Sequence, residues 1–320
     1  DRIVVGAIGA DDSGADAGSL YVFEPDGLGG WAQTKLNASE LTRNLGTTIG
    51  VSGDRIVAGT NNGLVYIFEF DAAGGWLETK LTPSDPRFDG NQVAVSGDRI
   101  VVGDREGGPL QLQGVVYVFE PDALGDWEET QLLASDGTAL DEFGRSVAVD
   151  GDRIVVGAIG EGSVYLFDAD GLGSWSETKI SASDSGASDL FGEQVAVAGD
   201  RVVVGSWFGD GLAPDSGTVY AFQPDSAGGW TETKLFAADG ATDDWFGGLS
   251  LAISGDRIVA GAPRDDDKGE NSGSAYVFDL APIPDSPPTA NPGGPYGGVE
   301  GSPIPLDGTA STDDGPFISY

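Results

Sequence analysis

Carboxylates are the main chemically active side chains of this sequence. Its 320 residues include 52 Asp and Glu, but no His and no Cys. The absence of these two residue types excludes a Ser-His-Asp triad, a Cys-His pair and zinc sites built from His or Cys. Paired carboxylates could still hydrolyse glycosides, but no catalytic pair stands out among so many acids. We therefore expect a protein that is not an enzyme.

Two groups of acidic residues could hold a hard cation such as Ca²⁺ through oxygen ligands. The first group is Asp265, Asp266, Asp267 and Glu270, and the second is Asp11, Asp12 and Asp16. Both lie in equivalent loops of the repeat described below. The alternative, which we favour, is that both are solvated acidic loops. We expect no other cofactor.

A second candidate site combines aromatic and acidic residues. It consists of Trp207, Phe208, Asp210, Asp243, Asp244 and Trp245. Five of the seven Trp residues recur at one position of the repeat and are expected to pack between its units, whereas Trp207 and Trp245 do not recur. An exposed aromatic pair beside carboxylates would suit a sugar or a peptide ligand. Alternatively, both rings fold back and fill the cores of their own loops.

The charge balance excludes nucleic acid as a partner and indicates a salt-rich environment. Against 52 acidic residues there are 16 basic ones, which gives a net charge of -36. Ten of the basic residues occupy two recurring positions of the repeat, so no basic patch remains for nucleic acid. An acidic chain repels itself in dilute salt, and molar salt screens that repulsion. We therefore expect a halophilic source.

One sequence unit recurs six times with a period near fifty residues. Its Asp-Arg-Ile/Val-Val element begins at Asp1, Asp54, Asp98, Asp152, Asp200 and Asp256. Each unit predicts four short strands, a to d, of the types V-A-V, R-I-V-V-G, V-Y-V-F and W-x-E-T-K-L. Strand a is missing from the first unit and strand d from the last. Short strands at this period predict an all-β fold, a β-propeller of six encoded four-stranded blades.

The lengths of the connections predict which face binds a partner. The a–b and c–d turns are short, whereas the b–c and d–a connections vary in length. In an up-and-down blade both variable sets lie on one face, where we expect a protein or glycan partner. The Lys of strand d is expected to protect an outer edge from pairing with other strands.

Several of the repeats resemble FG-GAP repeats, which form the propellers of integrin alpha-subunits and many microbial surface proteins. The resemblance is carried by Phe143-Gly144 with Gly157-Ala158, and by Phe246-Gly247 with Gly261-Ala262-Pro263. It implies a scaffold for protein interaction. From the strand count, we expect six blades in the intact protein, or seven if a whole upstream unit is missing. The family's calcium loop lies between strands a and b, where this chain has only short turns such as Ser52-Gly53-Asp54. The resemblance therefore does not extend to the integrin-type calcium site.

The end of the chain has a different composition. Residues 281–288 form a Pro-rich linker, and residues 289–320 resemble the opening of a PKD domain, an immunoglobulin-like β-sandwich. This resemblance rests on Asn291-Pro292-Gly293-Gly294-Pro295 and Leu306-Asp307-Gly308. The later W-x-F-G-D-G segment of that family is absent, so the sandwich segment is expected to be truncated.

Taken together, residues 1–280 are expected to form the propeller of a haloarchaeal-type surface protein. We expect an extracellular or cell-surface adhesion or protein-interaction scaffold. The alternative is a carbohydrate-binding accessory region of a larger secreted hydrolase. No apolar run approaches the roughly 18 residues of a membrane span, and a signal peptide would precede Asp1.

Overall fold

The repeat folds into antiparallel sheets of short strands. The computed structural model describes residues 2–71, 74–85, 88, 92–184, 186, 188–225 and 228–280. These residues form twenty-two β-strands in six sheets, one for each copy of the repeat. The Pro-rich linker and the PKD-like segment predicted for 281–320 lie outside the described residues.

The six sheets are numbered as blades in chain order. Blade 1 contains β1 (Ile3–Ala7), β2 (Ser19–Pro25) and β3 (Trp31–Leu36). Blade 2 contains β4 (Ile49–Ser52), β5 (Arg55–Gly59), β6 (Val65–Phe70) and β7 (Trp76–Leu81). Blade 3 contains β8 (Gln92–Ser96), β9 (Arg99–Asp104), β10 (Val115–Pro121) and β11 (Trp127–Leu132). Blade 4 contains β12 (Phe143–Asp150), β13 (Arg153–Ala158), β14 (Ser163–Ala169) and β15 (Trp175–Ile180). Blade 5 contains β16 (Phe191–Ala198), β17 (Arg201–Ser206), β18 (Thr218–Pro224) and β19 (Trp230–Leu235). Blade 6 contains β20 (Leu251–Ser254), β21 (Arg257–Ala262) and β22 (Ser274–Asp279).

The strands of each blade follow chain order from the inside to the outside. Every neighbouring pair within a sheet is antiparallel, and strand d forms the outer edge wherever it is present. The inner strands of successive blades, such as β8, β12 and β16, lie next to one another. This arrangement is a six-bladed β-propeller, with four-stranded blades in the middle of the chain and three-stranded blades at both ends.

The hydrophobic core lies between neighbouring blades. Alternate side chains of strand b belong to the core on one side of the blade or to the core on the other. In β13, Ile154 and Val156 pack against blade 3, whereas Val155 packs against blade 5. Successive residues of a strand point to opposite faces, so a strand that is apolar at every position has both faces covered. This explains the continuous apolar R-I-V-V-G element that recurs in the sequence.

The Phe-Gly and Gly-Ala elements meet between adjacent blades. The ring of Phe143 lies edge-on to those of Tyr165 and Phe167, at centroid distances of 5.5 and 5.9 Å. The following Gly144 has a φ of 90°. A Cβ placed on Gly103 of strand b in the preceding blade would lie 2.2 Å from the carbonyl oxygen of Gly144. Only glycine permits this approach, so the two halves of the motif are the two sides of one blade contact.

The recurring Arg and Trp residues also join neighbouring blades. Five of the six Arg residues at the start of strand b pair with the Asp before strand b of the next blade; the pairs are Arg2–Asp54, Arg55–Asp98, Arg99–Asp152, Arg153–Asp200 and Arg201–Asp256. Four of these guanidinium groups cover the strand-d Trp of the next blade, at 4.9 to 5.6 Å from the ring centroid: Arg2 on Trp76, Arg55 on Trp127, Arg99 on Trp175 and Arg153 on Trp230. These four Trp residues therefore have the predicted role between blades.

The two end blades leave apolar faces exposed. The prediction that all five strand-d Trp pack between blades is wrong for Trp31, which is 51% exposed because no described blade precedes blade 1. On the opposite end of the array, Val259 and Val277 are 42% and 60% exposed, although the equivalent residues of the inner blades are fully buried. The outer faces of blades 1 and 6 therefore do not pack against each other in the described residues.

Candidate functional site

The variable loops gather on one face of the propeller, as the connection lengths predict. The loop between strands b and c of one blade is hydrogen-bonded to the connection that leads into the next blade. For example, the amide of Phe246 donates to the carbonyl of Ser216 at 2.9 Å, and the amide of Leu140 donates to that of Gln111 at 2.9 Å. These backbone bonds satisfy polar groups that sheet pairing leaves free, so they hold the loops as a connected surface.

Loops of blades 5 and 6 build an aromatic cluster on this face. Trp207 and Phe208 follow β17, and Trp245 lies in the connection between β19 and β20. The ring of Trp207 lies 5.0 Å from that of Trp245 and 5.8 Å from that of Phe208, measured between centroids. The guanidinium carbon of Arg264, from the loop after β21, lies 3.4 Å from the Trp245 ring centroid. Sequence reasoning grouped the three rings correctly but missed Arg264.

Local backbone geometry fixes the cluster. Trp245 has a φ of 59°, and the equivalent Asn44, Glu142 and Leu190 have φ values of 59°, 52° and 53°, so this backbone conformation is a feature of the repeat. A Cβ on Gly248 would lie 2.8 Å from Cγ of Trp207, so glycine makes room for the indole ring. The Nε1 atoms of Trp207 and Trp245 are buried, and neither has a hydrogen-bond partner among the described residues. The cluster thus combines half-buried rings with two unused donors.

The three acidic residues predicted beside these rings have different roles. Asp210 and Asp243 are exposed, whereas Asp244 is buried. The carboxylate of Asp244 accepts a hydrogen bond from the amide of Ala241 at 2.7 Å, so it caps its own loop. Asp210 accepts a bond from the amide of Asp215 at 3.1 Å. The side chain of Asp244 is therefore occupied by loop structure, and Asp243 is the more available carboxylate beside Trp245.

A cluster of three carboxylates lies at the outer edge of blade 6. Oxygen atoms of Asp239, Asp265 and Asp267 lie within 4.8 Å of one another, which among the described residues is the one such group of three. The hydroxyl of Tyr276 lies 2.7 Å from oxygens of both Asp239 and Asp265. The charges of Asp265 and Asp239 raise the pKa of Asp267, whereas the amide of Asp267 and the Tyr276 hydroxyl lower that of Asp265.

The sequence analysis identified only part of this cluster. Asp266 accepts a hydrogen bond from the amide of Asn271, and neither Asp266 nor Glu270 belongs to the group of three. Asp239 was missed, although alignment of the repeats would have found it, because Asp136 and Asp184 occupy the equivalent position after strand d. The sequence analysis grouped acidic residues that are contiguous in the chain, but the third carboxylate of the cluster, Asp239, comes from the connection after blade 5.

The acidic loop of the first unit is arranged differently. The carboxylate of Asp12 forms an ion pair with Lys35, and this contact lowers the pKa of Asp12. Asp11 accepts a hydrogen bond from the amide of Asp16 at 2.8 Å. The first-unit acids are therefore engaged in a loop turn and an ion pair within the described chain.

The strand-d lysines form ion pairs at the outer edge of the blades, where their protective role stays a prediction. Lys179 lies 2.8 Å from both Asp136 and Glu161, and it also lies 5.1 Å from the ring centroid of Tyr165. The Tyr165 hydroxyl donates to Asp136 at 2.6 Å. Lysine, tyrosine and acids therefore form one network at the outer edge of blade 4.

A partly buried ion pair between the inner strands was also missed by the sequence analysis. Arg145 of β12 and Glu193 of β16 lie 2.7 Å apart. Burial raises the pKa of Glu193, and burial together with the charge of Glu106 raises that of Glu142. Arg145 and Glu193 follow the Phe-Gly elements of two adjacent repeats, and only their spatial proximity connects them. The pair joins the inner strands of blades 4 and 5.

Comparison with known proteins supports the fold and the repeat family. Residues 127–167, 175–222 and 230–278 match the model of the FG-GAP repeat family. Each stretch runs from strand d of one blade to strand c of the next. A crystal structure of a protein from Lactobacillus plantarum matches 88% of this chain and 79% of its own, with 16% identity and a TM-score of 0.57, which supports the fold alone. No curated protein matches the chain.

These findings define the class of protein. Three stretches of the chain match the FG-GAP repeat model, and the described residues form a six-bladed β-propeller, a fold that suggests a protein-interaction scaffold. The described residues include no helix with the length and apolar character needed to cross a membrane.

Proposed function

We propose that this protein is a non-enzymatic adhesion or protein-interaction scaffold, which acts outside the cell or on its surface. The observation that carries the proposal is the cluster of Trp207, Phe208 and Trp245 on the variable-loop face. Aromatic side chains beside an arginine are the residues that most often dominate binding energy in protein interfaces. Arg264 supplies that cation, and its guanidinium stacks on Trp245.

Charge and domain organisation support the location. A net charge of -36 favours a salt-rich environment, where repulsion within the chain is screened. The PKD-like resemblance of residues 289–320, beyond the propeller of residues 1–280, is typical of cell-surface proteins and secreted enzymes. A haloarchaeal-type surface protein is the proposal that combines both features.

Carbohydrate binding is a second candidate function, because the exposed Asp243 accompanies the half-buried aromatic rings. Sugars combine stacking on aromatic rings with hydrogen bonds to hydroxyl groups. In that case the protein is the accessory region of a larger secreted hydrolase.

The test compares the half-buried Trp245 of the variable-loop face with the exposed Trp31, which lies outside the aromatic cluster. The full chain is panned against a displayed random-peptide library and applied to a glycan array in molar salt. Enriched peptides that lose binding in Trp245→Ala, but retain it in the control Trp31→Ala, support the scaffold. Retention of sugars with the same dependence would favour the carbohydrate-binding role. Binding that is insensitive to Trp245→Ala would contradict both.

A further inference from the structure

A cavity of about 290 Å³ lies between blades 2 and 3, at the turns that precede strand b. It is lined by the turn from Ser52 to Asp54, the turn residues Gly97 and Asp98, Arg55 at the start of β5, and Glu69 and Phe70 at the end of β6. These turns connect strands a and b, so the cavity opens at the end of the blades opposite the variable loops. It is therefore separate from the aromatic cluster described above.

Phe70 distinguishes this cavity from the equivalent positions of the repeat. The residues in its place in the other five blades are Pro25, Pro121, Ala169, Pro224 and Leu280. The centroid of its ring lies 5.3 Å from that of Trp76, with an interplanar angle of 65°, and Phe70 remains 40% exposed. The repeat therefore does not require an aromatic ring at this position, and the exposed part of the ring is available to a ligand.

Three carboxylates line the cavity, against one guanidinium group. The carboxylates belong to Asp54, Glu69 and Asp98, and the guanidinium is that of Arg55. Arg2 donates to Oδ1 of Asp54 at 3.2 Å. Arg55 donates to Oε1 of Glu69 at 2.7 Å and to Oδ1 of Asp98 at 3.1 Å. The second oxygen of each carboxylate has no hydrogen-bond partner among the described residues, so all three can accept a further donor.

The repeat itself shows which cation such a combination binds. The guanidinium of Arg55 lies 5.0 Å from the ring centroid of Trp127 and forms ion pairs with Glu69 and Asp98. One aromatic ring and two acids from adjacent blades thus hold one guanidinium group. Because this group is planar, it stacks on a ring and still donates in its own plane to carboxylates, whereas an ammonium is a compact point charge. The cavity offers Phe70 and unused carboxylate oxygens as a second set of the same kind.

The spacing of the acids favours an organic cation over a metal ion. Among the described residues, the group of three acids with mutually close oxygens is the cluster at Asp239, so the carboxylates of this cavity do not all lie within 4.8 Å of one another. A metal ion such as Ca²⁺ or Mg²⁺ needs several oxygens at about 2.0–2.6 Å from one centre. A guanidinium group instead has five donors spread around its plane and suits acids that are further apart.

We propose that this cavity binds the guanidinium group of an arginine side chain from a partner protein. The ring of Phe70 supplies a cation–π contact, and the unused oxygens of Asp54 and Asp98 accept hydrogen bonds from the guanidinium. A basic partner is also complementary to the net charge of -36 of this chain. The interaction is additional to the function proposed for the variable-loop face and does not depend on it.

The test uses Nα-acetyl-arginine methylamide, which presents an arginine side chain without terminal charges. The full chain is labelled with nitrogen-15 and titrated at constant ionic strength, and the NMR signals of the Phe70 and Gly97 amides report binding at the cavity. Saturable shifts of these two signals are expected. The citrulline analogue, which has nearly the same shape without the charge, should bind about fivefold more weakly or less, because it loses the charge-assisted hydrogen bonds.

Two protein variants with matched controls locate the binding site. Phe70→Ala, which introduces the residue that blade 4 has as Ala169, should weaken binding about two- to fivefold. Asp98→Asn should weaken it about threefold or more. The control Asp200→Asn should not, because Asp200 has the same ion pair with an arginine but Ala169 in place of the phenylalanine. Trp245→Ala, on the opposite face, should bind the probe as the wild type does, which separates this test from that of the proposed function.

Four results would overturn the proposal. The first is an absence of saturable shifts at Phe70 and Gly97. The second is an equal loss of affinity in Asp98→Asn and Asp200→Asn, which would indicate attraction to the overall negative charge. The third is equal binding of Nα-acetyl-lysine methylamide, which would show that the cavity does not select a guanidinium group. The fourth is tighter binding of free L-arginine than of the capped form, which would assign the cavity to the amino acid and not to a protein side chain.

Discussion

Blades 5 and 6 are adjacent copies of one repeat that differ by a single strand. Blade 5 has a fourth strand, and its Tyr220 and Phe222 are buried beneath it. Within the described residues blade 6 ends at β22, and Tyr276 and Phe278 are partly exposed beside three carboxylates. The comparison teaches that strand d completes both the apolar core and the charge balance of a blade.

The largest expected effect concerns the strand-c phenylalanines. Phe222→Ala should lower the free energy of unfolding by about 3–5 kcal/mol, because it leaves a cavity between two packed blades. Phe278→Ala should cost distinctly less, since that ring already contacts solvent. Chemical denaturation of the two variants measures the difference. Equal losses would show that the outer strand contributes little to the core of a blade.

The other end blade allows a second comparison, between Trp230 and Trp31. The Trp230 ring lies beneath the guanidinium of Arg153, whereas Trp31 has no such cover in the described residues and is 51% exposed. Trp230→Ala should cost about 1–3 kcal/mol through lost burial and cation–π attraction, and Trp31→Ala about 0.5 kcal/mol or less. A comparable cost for Trp31 in thermal or chemical unfolding would contradict the view that its face is unpacked.

The smallest expected effect is on the pH dependence of stability, through Asp184 beside blade 5 and Asp267 in blade 6. Lys234 lowers the pKa of Asp184 in the folded protein. Ionised Asp184 therefore stabilises the fold at pH values above its unfolded pKa of 3.8, and this stabilisation is lost as the pH falls through the folded pKa. Asp265 and Asp239 raise the pKa of Asp267, so its ionisation disfavours the fold as pH rises above 3.8. At neutral pH, Asp184→Asn should lower the melting temperature and Asp267→Asn should raise it.

Both differences should fade below pH 3.8, where the wild-type carboxyl groups are protonated in the unfolded state. Thermal unfolding across pH 3 to 7 measures them, with the Asp184 and Asp267 variants serving as controls for each other. Changes in melting temperature of the same sign in both variants at neutral pH would show that Asp184 and Asp267 have equivalent charge environments.

Much of the fold could be predicted from the sequence, because strand spacing and turn lengths repeat. The short c–d turns predict a hairpin, and the variable connections predict the face on which the long loops lie. The grouping of Trp207 with Trp245 also followed from that face argument. The contribution of Asp239 did not follow from the acidic run at Asp265, and only alignment of Asp239 with Asp136 and Asp184 in the other repeats would have indicated it.

The sequence by itself determined the repeat, the strand order within each blade and the excess of negative charge, because these depend on local periodicity and composition. Tertiary structure alone decided which residues meet between blades. Arg264 reaches Trp245, Asp239 reaches Asp265, and the end blades keep exposed faces, because each contact depends on how one rigid sheet is stacked against the next. Local sequence fixes the shape of a blade, whereas contacts between blades depend on side chains that are distant in the chain.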